Sequence, residues 1–135
     1  MSDATCVVVA EDDPRFRTFL VSALRGIGFE VVEASDGLEA LERLRAVSPS
    51  LLLTDVEMPR LDGLRLTRAA RATRPSLPVI VLSADSANEE AALAAGADVF
   101  VWKLSTDMLR VVRGLALALR QPEEAVAPIA RAGGS

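Results

Sequence analysis

Two acidic stretches contain the residue types in this sequence that could perform chemistry. Glu11, Asp12 and Asp13 close one apolar run, and Asp55 closes another and opens the stretch 55–63. Because like charges held together raise one another's free energy, folding alone would not favour such a cluster. Mg²⁺ takes carboxylate oxygens as ligands and completes its shell with waters and phosphate oxygens. These residues therefore predict a Mg²⁺ site beside a transferable phosphoryl group, with Asp55 as the nucleophile that forms an aspartyl phosphate.

The composition excludes several other kinds of site. The sequence contains no histidine, so it lacks a His general base, a phosphohistidine carrier and a His-ligated zinc site. With a single cysteine, Cys6, only oxygen-ligated hard metals remain as candidates. The 15 basic and 19 acidic side chains give a net charge of −4, which argues against binding of nucleic acid or an anionic membrane surface by this domain.

Length and hydropathy predict one soluble domain. The chain has 135 residues, of which 50% are hydrophobic, enough for one core. No apolar run approaches the roughly 18 residues of a membrane span, and the short acidic amino terminus is unlike a signal peptide. A lone Cys6 cannot form an internal disulfide, which fits a reducing compartment. We expect a cytoplasmic protein, with a domain over residues 1–121 and a flexible Pro/Ala/Gly tail over 122–135.

Five short apolar runs alternate with segments of helical period. The runs 7–9, 51–53 and 79–82 are continuously apolar, which is typical of central parallel strands covered on both faces. The strands are predicted over residues 6–10, 29–34, 51–54, 78–82 and 98–102.

Helix signals fill the intervals between these runs. The first helix starts at Pro14 and ends at Gly28; the second starts at Asp36 and closes before Pro49; the third runs from Gly63 to about Arg74. Residues 86–89 form a capping-box pattern for a short fourth helix ending at Gly96, and Ser105 is the predicted cap of a fifth. Four arginines of the third helix are predicted to be solvated, with a basic docking stripe as the alternative: Arg65, Arg68, Arg71 and Arg74.

This alternation predicts an α/β fold in which helices cover both faces of an open parallel sheet. With right-handed crossovers, the favoured topology is a (βα)₅ flavodoxin-like, doubly wound sheet with strand order 2-1-3-4-5. Strands 1 and 3 are then neighbours, and their carboxyl ends bring Glu11, Asp12 and Asp55 together at the topological switch point.

Over residues 5–120 the sequence resembles the receiver domain of bacterial two-component response regulators, the family that includes the chemotaxis receiver. Five features in order carry the resemblance: the acidic pair at 11–12, residues 55–63, residues 82–84, residues 94–98, and Lys103. The resemblance implies a phosphoprotein that receives a phosphoryl group on Asp55 from a histidine kinase or phosphotransfer protein, with Mg²⁺. It implies a phosphoacceptor with Mg²⁺-dependent self-phosphorylation and autodephosphorylation rather than a turnover enzyme.

The resemblance also assigns roles within the metal and phosphoryl site. Asp12 and Asp55 are the expected direct ligands, Glu11 acts through water, and the backbone carbonyl of Glu57 is the third protein ligand. The Glu57 side chain is expected at the mouth of the pocket, and Asp13 is assigned to capping the first helix.

The remaining assigned residues follow strands 4 and 5. Lys103 is expected to pair with Asp55 and later with phosphoryl oxygens, the alternative being a solvated charge. Ser83 is expected to donate to the phosphoryl group, and Phe100 and Trp102 to respond to that movement as switch residues. A core aromatic remains an equal alternative for Phe100, and strand alternation places Trp102 on its face.

Two departures from the family pattern affect the predicted output surface. The family usually follows its lysine with a cis proline, whereas Leu104 follows Lys103 here. A cis bond without proline costs roughly 2.5–4 kcal/mol, so we expect a trans bond and a rearranged loop. The interval from Ser83 to Lys103 is also shorter than the family commonly shows, which predicts a shortened fourth helix or preceding loop.

The leading hypothesis is a phosphorylation-dependent signalling switch with output by contact with a downstream protein, either as a stand-alone receiver or as a receiver segment of a larger protein. The alternative is a constitutive interaction module with a non-switching receiver fold. A haloacid-dehalogenase-type hydrolase is disfavoured because the Asp-x-Asp signature is absent: Glu57 stands two places after Asp55. The kinase, target, phosphoryl lifetime and oligomeric state are not encoded in recognisable motifs.

Overall fold

The computed structural model describes residues 5–119, which form five strands and five α-helices in strict alternation. A single 3₁₀ turn, Ser86–Asn88, precedes the fourth helix. In chain order the elements are β1 (Cys6–Ala10), α1 (Pro14–Arg25), β2 (Glu30–Ala34), α2 (Gly37–Ala46), β3 (Leu51–Asp55), α3 (Gly63–Thr73), β4 (Val79–Ser83), α4 (Glu89–Ala95), β5 (Val99–Trp102) and α5 (Met108–Leu119).

The strands form one parallel sheet in the order β2-β1-β3-β4-β5, which confirms the predicted doubly wound topology. Strand β1 lies between β2 and β3, and Ala10 is opposite Thr54 in the register. Because each of these strands is followed by a loop at the same edge, Glu11 and Asp55 leave the sheet side by side. Strand β3 extends one residue further than predicted, so that Asp55 itself pairs with Leu82 of β4.

Alternation along the central strands separates the core into two halves. Val7, Val9, Leu51 and Leu53 face α1 and α5 in one half, and the intervening residues of the same strands face α2, α3 and α4 in the other. Strands covered on both faces have no need of a polar face, since neither side meets water. The structure therefore confirms that the unbroken apolar runs are central strands. The loops begin where these runs end.

Three helix starts were assigned correctly, and two were not. Asp13, Asp36 and Asp62 cap α1, α2 and α3 by accepting backbone N–H groups. The capping box at 86–89 is wrong: Asp85 caps the 3₁₀ turn by accepting from the Ala87 amide, which displaces Ser86 from that role. Residue Ser105 does not cap α5 either, because its hydroxyl donates to Asp107 and α5 begins at Met108.

Of the four arginines predicted for the third helix, Arg71 is a structural residue, which corrects the prediction that it is solvated, and Arg74 follows the last residue of α3. Arg71 donates to the backbone carbonyls of Leu77 at 2.6 Å and Pro75 at 2.8 Å. The same guanidinium also donates to the Gly96 carbonyl at 3.2 Å and pairs with Asp98 at 3.1 Å. It therefore ties α3 to the segment that leads into β5.

The described residues 5–119 contain no cis peptide bond, so Lys103 and Leu104 are joined in trans as expected. Within the same residues, no helix combines the length and apolar character that crossing a membrane requires. The predicted tail over 122–135 and the outer limits of the domain at 1 and 121 lie outside the described part of the chain.

Candidate functional site

Three carboxylates meet where β1 and β3 end. One carboxylate oxygen from each of Glu11, Asp12 and Asp55 lies within 4.8 Å of the others. Glu11 is 1% exposed and Asp55 4% exposed, whereas Asp12 is open to solvent. The sequence prediction that these residues converge is confirmed, and the cluster has two buried members with one solvent-facing member at its edge.

Lys103 places a cation directly against the two buried carboxylates. Its Nζ lies 2.9 Å from Oε1 of Glu11 and 3.1 Å from Oδ2 of Asp55. The Lys103 amide donates to the Ser83 carbonyl at 2.9 Å, which fixes the residue at the end of β5, and Nζ lies 4.4 Å from the centre of the Phe16 ring. The structure brings Lys103 to Asp55 as expected, and it adds Glu11 as a second partner.

Burial and charge oppose each other in this cluster. Burial raises the pKa of Asp55, and the neighbouring Lys103 offsets only part of that rise. Burial likewise raises the pKa of Glu11, against the lowering effect of its hydrogen bond from Lys103. For Lys103 burial works towards a lower pKa, but the hydrogen bonds and charges of Glu11 and Asp55 outweigh it and raise the pKa. One lysine therefore stabilises two carboxylates without fully compensating their loss of hydration.

The donor set fits a hard divalent cation. Oδ1 of Asp55 is buried and accepts no hydrogen bond within residues 5–119, although its partner oxygen Oδ2 contacts Lys103. A buried carboxylate oxygen without a donor is costly, and a cation that shares Asp12 and Asp55 would remove that cost. Asp12 faces solvent, so the waters that would complete a Mg²⁺ shell could reach the ion from that side.

A glycine brings α3 directly behind Asp55. A Cβ on Gly63 would lie 1.9 Å from the backbone oxygen of Asp55 and 3.0 Å from Cα of Val56, so only a residue without a side chain fits. The Gly63 amide donates to the Val56 carbonyl at 2.8 Å, and Asp62 caps the helix from the preceding position. The Asp62–Gly63 pair thus allows the start of α3 to pack closely against the end of β3.

The rest of the β3–α3 loop is fastened to α2. Arg60 adopts a left-handed conformation with φ of 70°, and its guanidinium donates to both carboxylate oxygens of Asp36 at 3.0 and 3.1 Å. A Cβ on Gly37 would lie 1.9 Å from the Leu61 carbonyl oxygen, so the loop packs directly on the first turn of α2. These contacts hold the loop that carries Glu57, the residue whose backbone carbonyl is the predicted third metal ligand.

A second polar group, not predicted from the sequence, connects the ends of β3 and β4. Asn88 donates through Nδ2 to Oε2 of Glu57 at 2.8 Å and to Oγ of Ser83 at 3.0 Å. Ser83 is fully buried, and its Oγ also lies 3.4 Å from each carboxylate oxygen of Glu57. The Glu57 side chain is exposed at the mouth of the site, as expected, but its partner Asn88 was missed because the sequence pattern there indicated a helix cap.

The two aromatic residues of β5 lie on the same face, towards α4. Phe100 is half-buried against the core half formed with α2, α3 and α4. Trp102 is 43% exposed, and its Nε1 donates to the Ala84 carbonyl at 3.0 Å. Phe100 therefore packs as a core aromatic opposite Val81 of β4, whereas Trp102 is held to the β4–α4 loop by one hydrogen bond and remains half-exposed.

Comparison with known proteins matches this sequence to a described family. The family described as response regulator receiver domain matches residues 7–112. Response regulator MprA of Mycobacterium bovis is 40% identical over 128 residues, covering 92% of this chain and 55% of MprA. The chain thus spans about half the length of the relatives of this kind that it matches.

Solved structures show the same arrangement of strands and helices. TrrA of Thermotoga maritima, solved in complex with Mg(2+)-BeF, superposes with a TM-score of 0.79 at 26% identity, covering 85% of this chain and 98% of TrrA. The receiver domain of Francisella response regulator 1452 gives a TM-score of 0.78 at 28% identity, covering 85% of this chain and 95% of that domain.

Proposed function

The chain belongs to the response regulator receiver family, whose members act in phosphorylation-dependent two-component signalling, and on that basis we propose that Asp55 is its phosphoacceptor. One observation carries the assignment. Asp55 is a buried carboxylate with one oxygen on Lys103 and the other without a hydrogen-bond partner among residues 5–119, and two further carboxylates follow the neighbouring strand β1. A constitutive module would have no need of this costly arrangement, so the non-switching alternative is not favoured.

Receiver domains bind Mg²⁺ at an acidic site, and we assign that ion here to Asp12, Asp55 and the Glu57 backbone carbonyl, with Glu11 beside them. When bound, the ion neutralises negative charge between the attacking and transferred oxygens. Asp12 is the solvent-facing member of the group, and Oδ1 of Asp55 has no hydrogen-bond partner within the described part of the chain, which supports this choice of ligands.

Three residues of this chain have different roles in the phosphoryl transfer. An oxygen of Asp55 forms the new bond to phosphorus while the bond from phosphorus to the donor's histidine nitrogen breaks, and the imidazole leaves with that electron pair. Lys103, already 3.1 Å from Asp55, stabilises charge on the transferred oxygens. Ser83, at the end of the adjacent strand β4, donates a hydrogen bond from its hydroxyl to a phosphoryl oxygen.

Receiver domains exchange phosphoryl groups with histidine kinases or phosphotransfer proteins. We propose a partner of that class in the cytoplasm, where ATP supplies the phosphoryl group, and output through contact with a downstream protein. The output surface is the neighbourhood of α4 and β5, because Ser83 and Lys103 are joined directly to it. Phe100 and Trp102 are its proposed switch residues.

Labelling with a small acyl-phosphate donor tests the assignment. In the presence of Mg²⁺, intact-mass measurement should show one added phosphoryl group that is stable in acid and released by base. Asp55→Asn should abolish the addition. The matched control is Asp62→Asn in the same loop, which retains a capping side chain and should label normally. Full labelling of the Asp55→Asn variant would contradict the proposal.

A further inference from the structure

The Ser83 hydroxyl has no hydrogen-bonding capacity left for Asp55. A hydroxyl offers one proton and two lone pairs. Oγ of Ser83 accepts from the Asp85 amide at 3.0 Å and from Nδ2 of Asn88 at 3.0 Å, which occupies both lone pairs. Its other hydrogen-bond partners among residues 5–119 are the two carboxylate oxygens of Glu57, each at 3.4 Å, which can only accept a hydrogen bond from the hydroxyl. Ser83 must therefore give up the Glu57 contact before it donates to a phosphoryl oxygen.

The Asn88 side chain does not serve the helix that it precedes. Asparagine at an N-cap normally accepts a hydrogen bond from the first turn, but Asn88 occupies the N-cap of α4 without any side-chain capping bond. Its amide instead bridges Glu57 at 2.8 Å and Ser83. Only the NH₂ end of an amide can face a carboxylate, so the orientation of the side chain is fixed by Glu57.

We propose that Asn88, together with the Glu57 carboxylate, is a positioning residue that holds the Ser83 hydroxyl in its unphosphorylated arrangement and so limits how tightly the site binds a phosphoryl group. This inference deepens the proposed function and depends on it. The contacts of Asn88 stabilise only the state in which the Ser83 hydroxyl is bonded to Glu57 and Asn88. The free energy of phosphoryl binding is therefore less favourable by the amount that these contacts contribute.

Negative charge added at Asp55 is expected to weaken the contact of Glu57 with Asn88 and Ser83. Burial raises the pKa of Asp55, and the charge of Glu57 raises it further, so the two carboxylates already interact across the site. Phosphorylation replaces the single negative charge of the Asp55 carboxylate with a phosphoryl group that itself carries about −1.5 to −2 charges at neutral pH, and the net gain of negative charge repels Glu57 further. Release of Glu57 frees both Asn88 and the Ser83 proton. The β4–α4 loop then loses one of its fixed points, while Trp102 remains hydrogen-bonded to Ala84 within the same loop.

Beryllofluoride with Mg²⁺, standing in for the phosphoryl group, tests this on the full chain. Its affinity is measured by calorimetry, and the emission of Trp102, the only tryptophan, is recorded in parallel. Asn88→Ala should tighten binding by roughly three- to tenfold, the effect of one typical hydrogen bond. Glu57→Gln, which removes the charge but keeps an acceptor, should tighten it by roughly twofold. The control Glu90→Ala alters an exposed residue of α4 whose side chain makes no hydrogen bond or ion pair with residues 5–119, and it should leave the affinity unchanged.

The Ser83→Ala background separates positioning from a general effect on the fold. If Asn88 acts through Ser83, Asn88→Ala should change neither the affinity nor the Trp102 response once Ser83 is absent. A gain of the same size in both backgrounds would overturn the proposal, as would weaker binding by Asn88→Ala alone. Beryllofluoride binding that survives Asp55→Asn would instead contradict the proposed function itself, and this inference with it.

Discussion

Two adjacent regions at the carboxyl edge of the sheet are held by different forces. The charge cluster, defined as Glu11, Asp12, Asp55 and Lys103, contains two buried carboxylates on one lysine, with contacts of 2.9 and 3.1 Å. The β4–α4 loop, residues 83–88, is held by uncharged donors on the side chains of Asn88 and Trp102. The charge cluster costs much free energy to disturb and positions the groups that react. The β4–α4 loop costs little free energy to rearrange, which suits a conformational response to phosphorylation.

The largest expected difference between the regions is in stability. Lys103→Met leaves Glu11 and Asp55 buried without a cation, which should lower the free energy of unfolding at pH 7 by about 3 kcal/mol. Trp102→Phe removes a single hydrogen bond from a half-exposed side chain and should cost about 1 kcal/mol. Urea unfolding in Mg²⁺-free buffer measures both. Equal costs for the two variants would remove the proposed contrast.

The next effect is stabilisation by Mg²⁺, which should act on the charge cluster alone. A ligand that binds only the folded state at one hundred times its dissociation constant stabilises it by about 2.7 kcal/mol. Asp12→Ala should lose most of this gain because it removes the proposed solvent-facing ligand, while Trp102→Phe should retain it. Thermal unfolding with and without Mg²⁺ gives the comparison, and an unfolding temperature indifferent to saturating Mg²⁺ in the wild type would count against the site.

A smaller effect is expected in the pH dependence of the free energy of unfolding. Burial raises the pKa of Glu11 above 4.5 and that of Asp55 above 3.8, so the folded state holds these protons more tightly than the unfolded state does. Their contribution is therefore most favourable at low pH and declines as pH rises from those values to the folded pKa values. Each unit of pKa difference corresponds to about 1.4 kcal/mol.

Glu11→Gln isolates this contribution in Mg²⁺-free buffer. Subtracting the wild-type free energy of unfolding from that of the variant at each pH between about 4 and 8 should give a difference that rises with pH and then levels off. Trp102→Phe changes no titrating group and should give a flat difference. A Glu11→Gln difference that falls with pH would mean that Lys103 lowers the pKa of Glu11 in spite of burial.

The charge cluster could be predicted because strand ends determine it. Glu11 and Asp55 follow apolar runs that can only be central strands, and strands 1 and 3 are neighbours in the favoured topology. The second partner of Lys103 could not be predicted, since a long flexible side chain reaches either carboxylate from the end of β5. Gly63 signalled a helix start, but its contact with Asp55 depends on the return path of the chain.

Outside the charge cluster, the predictions for two residues followed local sequence patterns, but hydrogen-bond partners far away in the sequence determine what these residues do. Asn88 stood inside a capping pattern, yet Asp85 provides the cap and leaves Asn88 free to reach Glu57, 31 positions away. Arg71 belonged to a stripe of surface arginines, but its acceptors include the Gly96 carbonyl, 25 positions away. Polar contacts of this kind depend on how close two loops come, which hydrophobic periodicity does not encode.

The central claim is that Asp55 alone accepts the phosphoryl group, and mapping the modified residue tests it most directly. After labelling with an acyl-phosphate donor and Mg²⁺, borohydride reduces an aspartyl phosphate to homoserine, which is identified by peptide mass spectrometry. The account predicts homoserine at position 55, with Asp12, Asp13 and Asp62 unmodified. Homoserine at any of those other positions, or labelled protein with an unmodified Asp55, would contradict it.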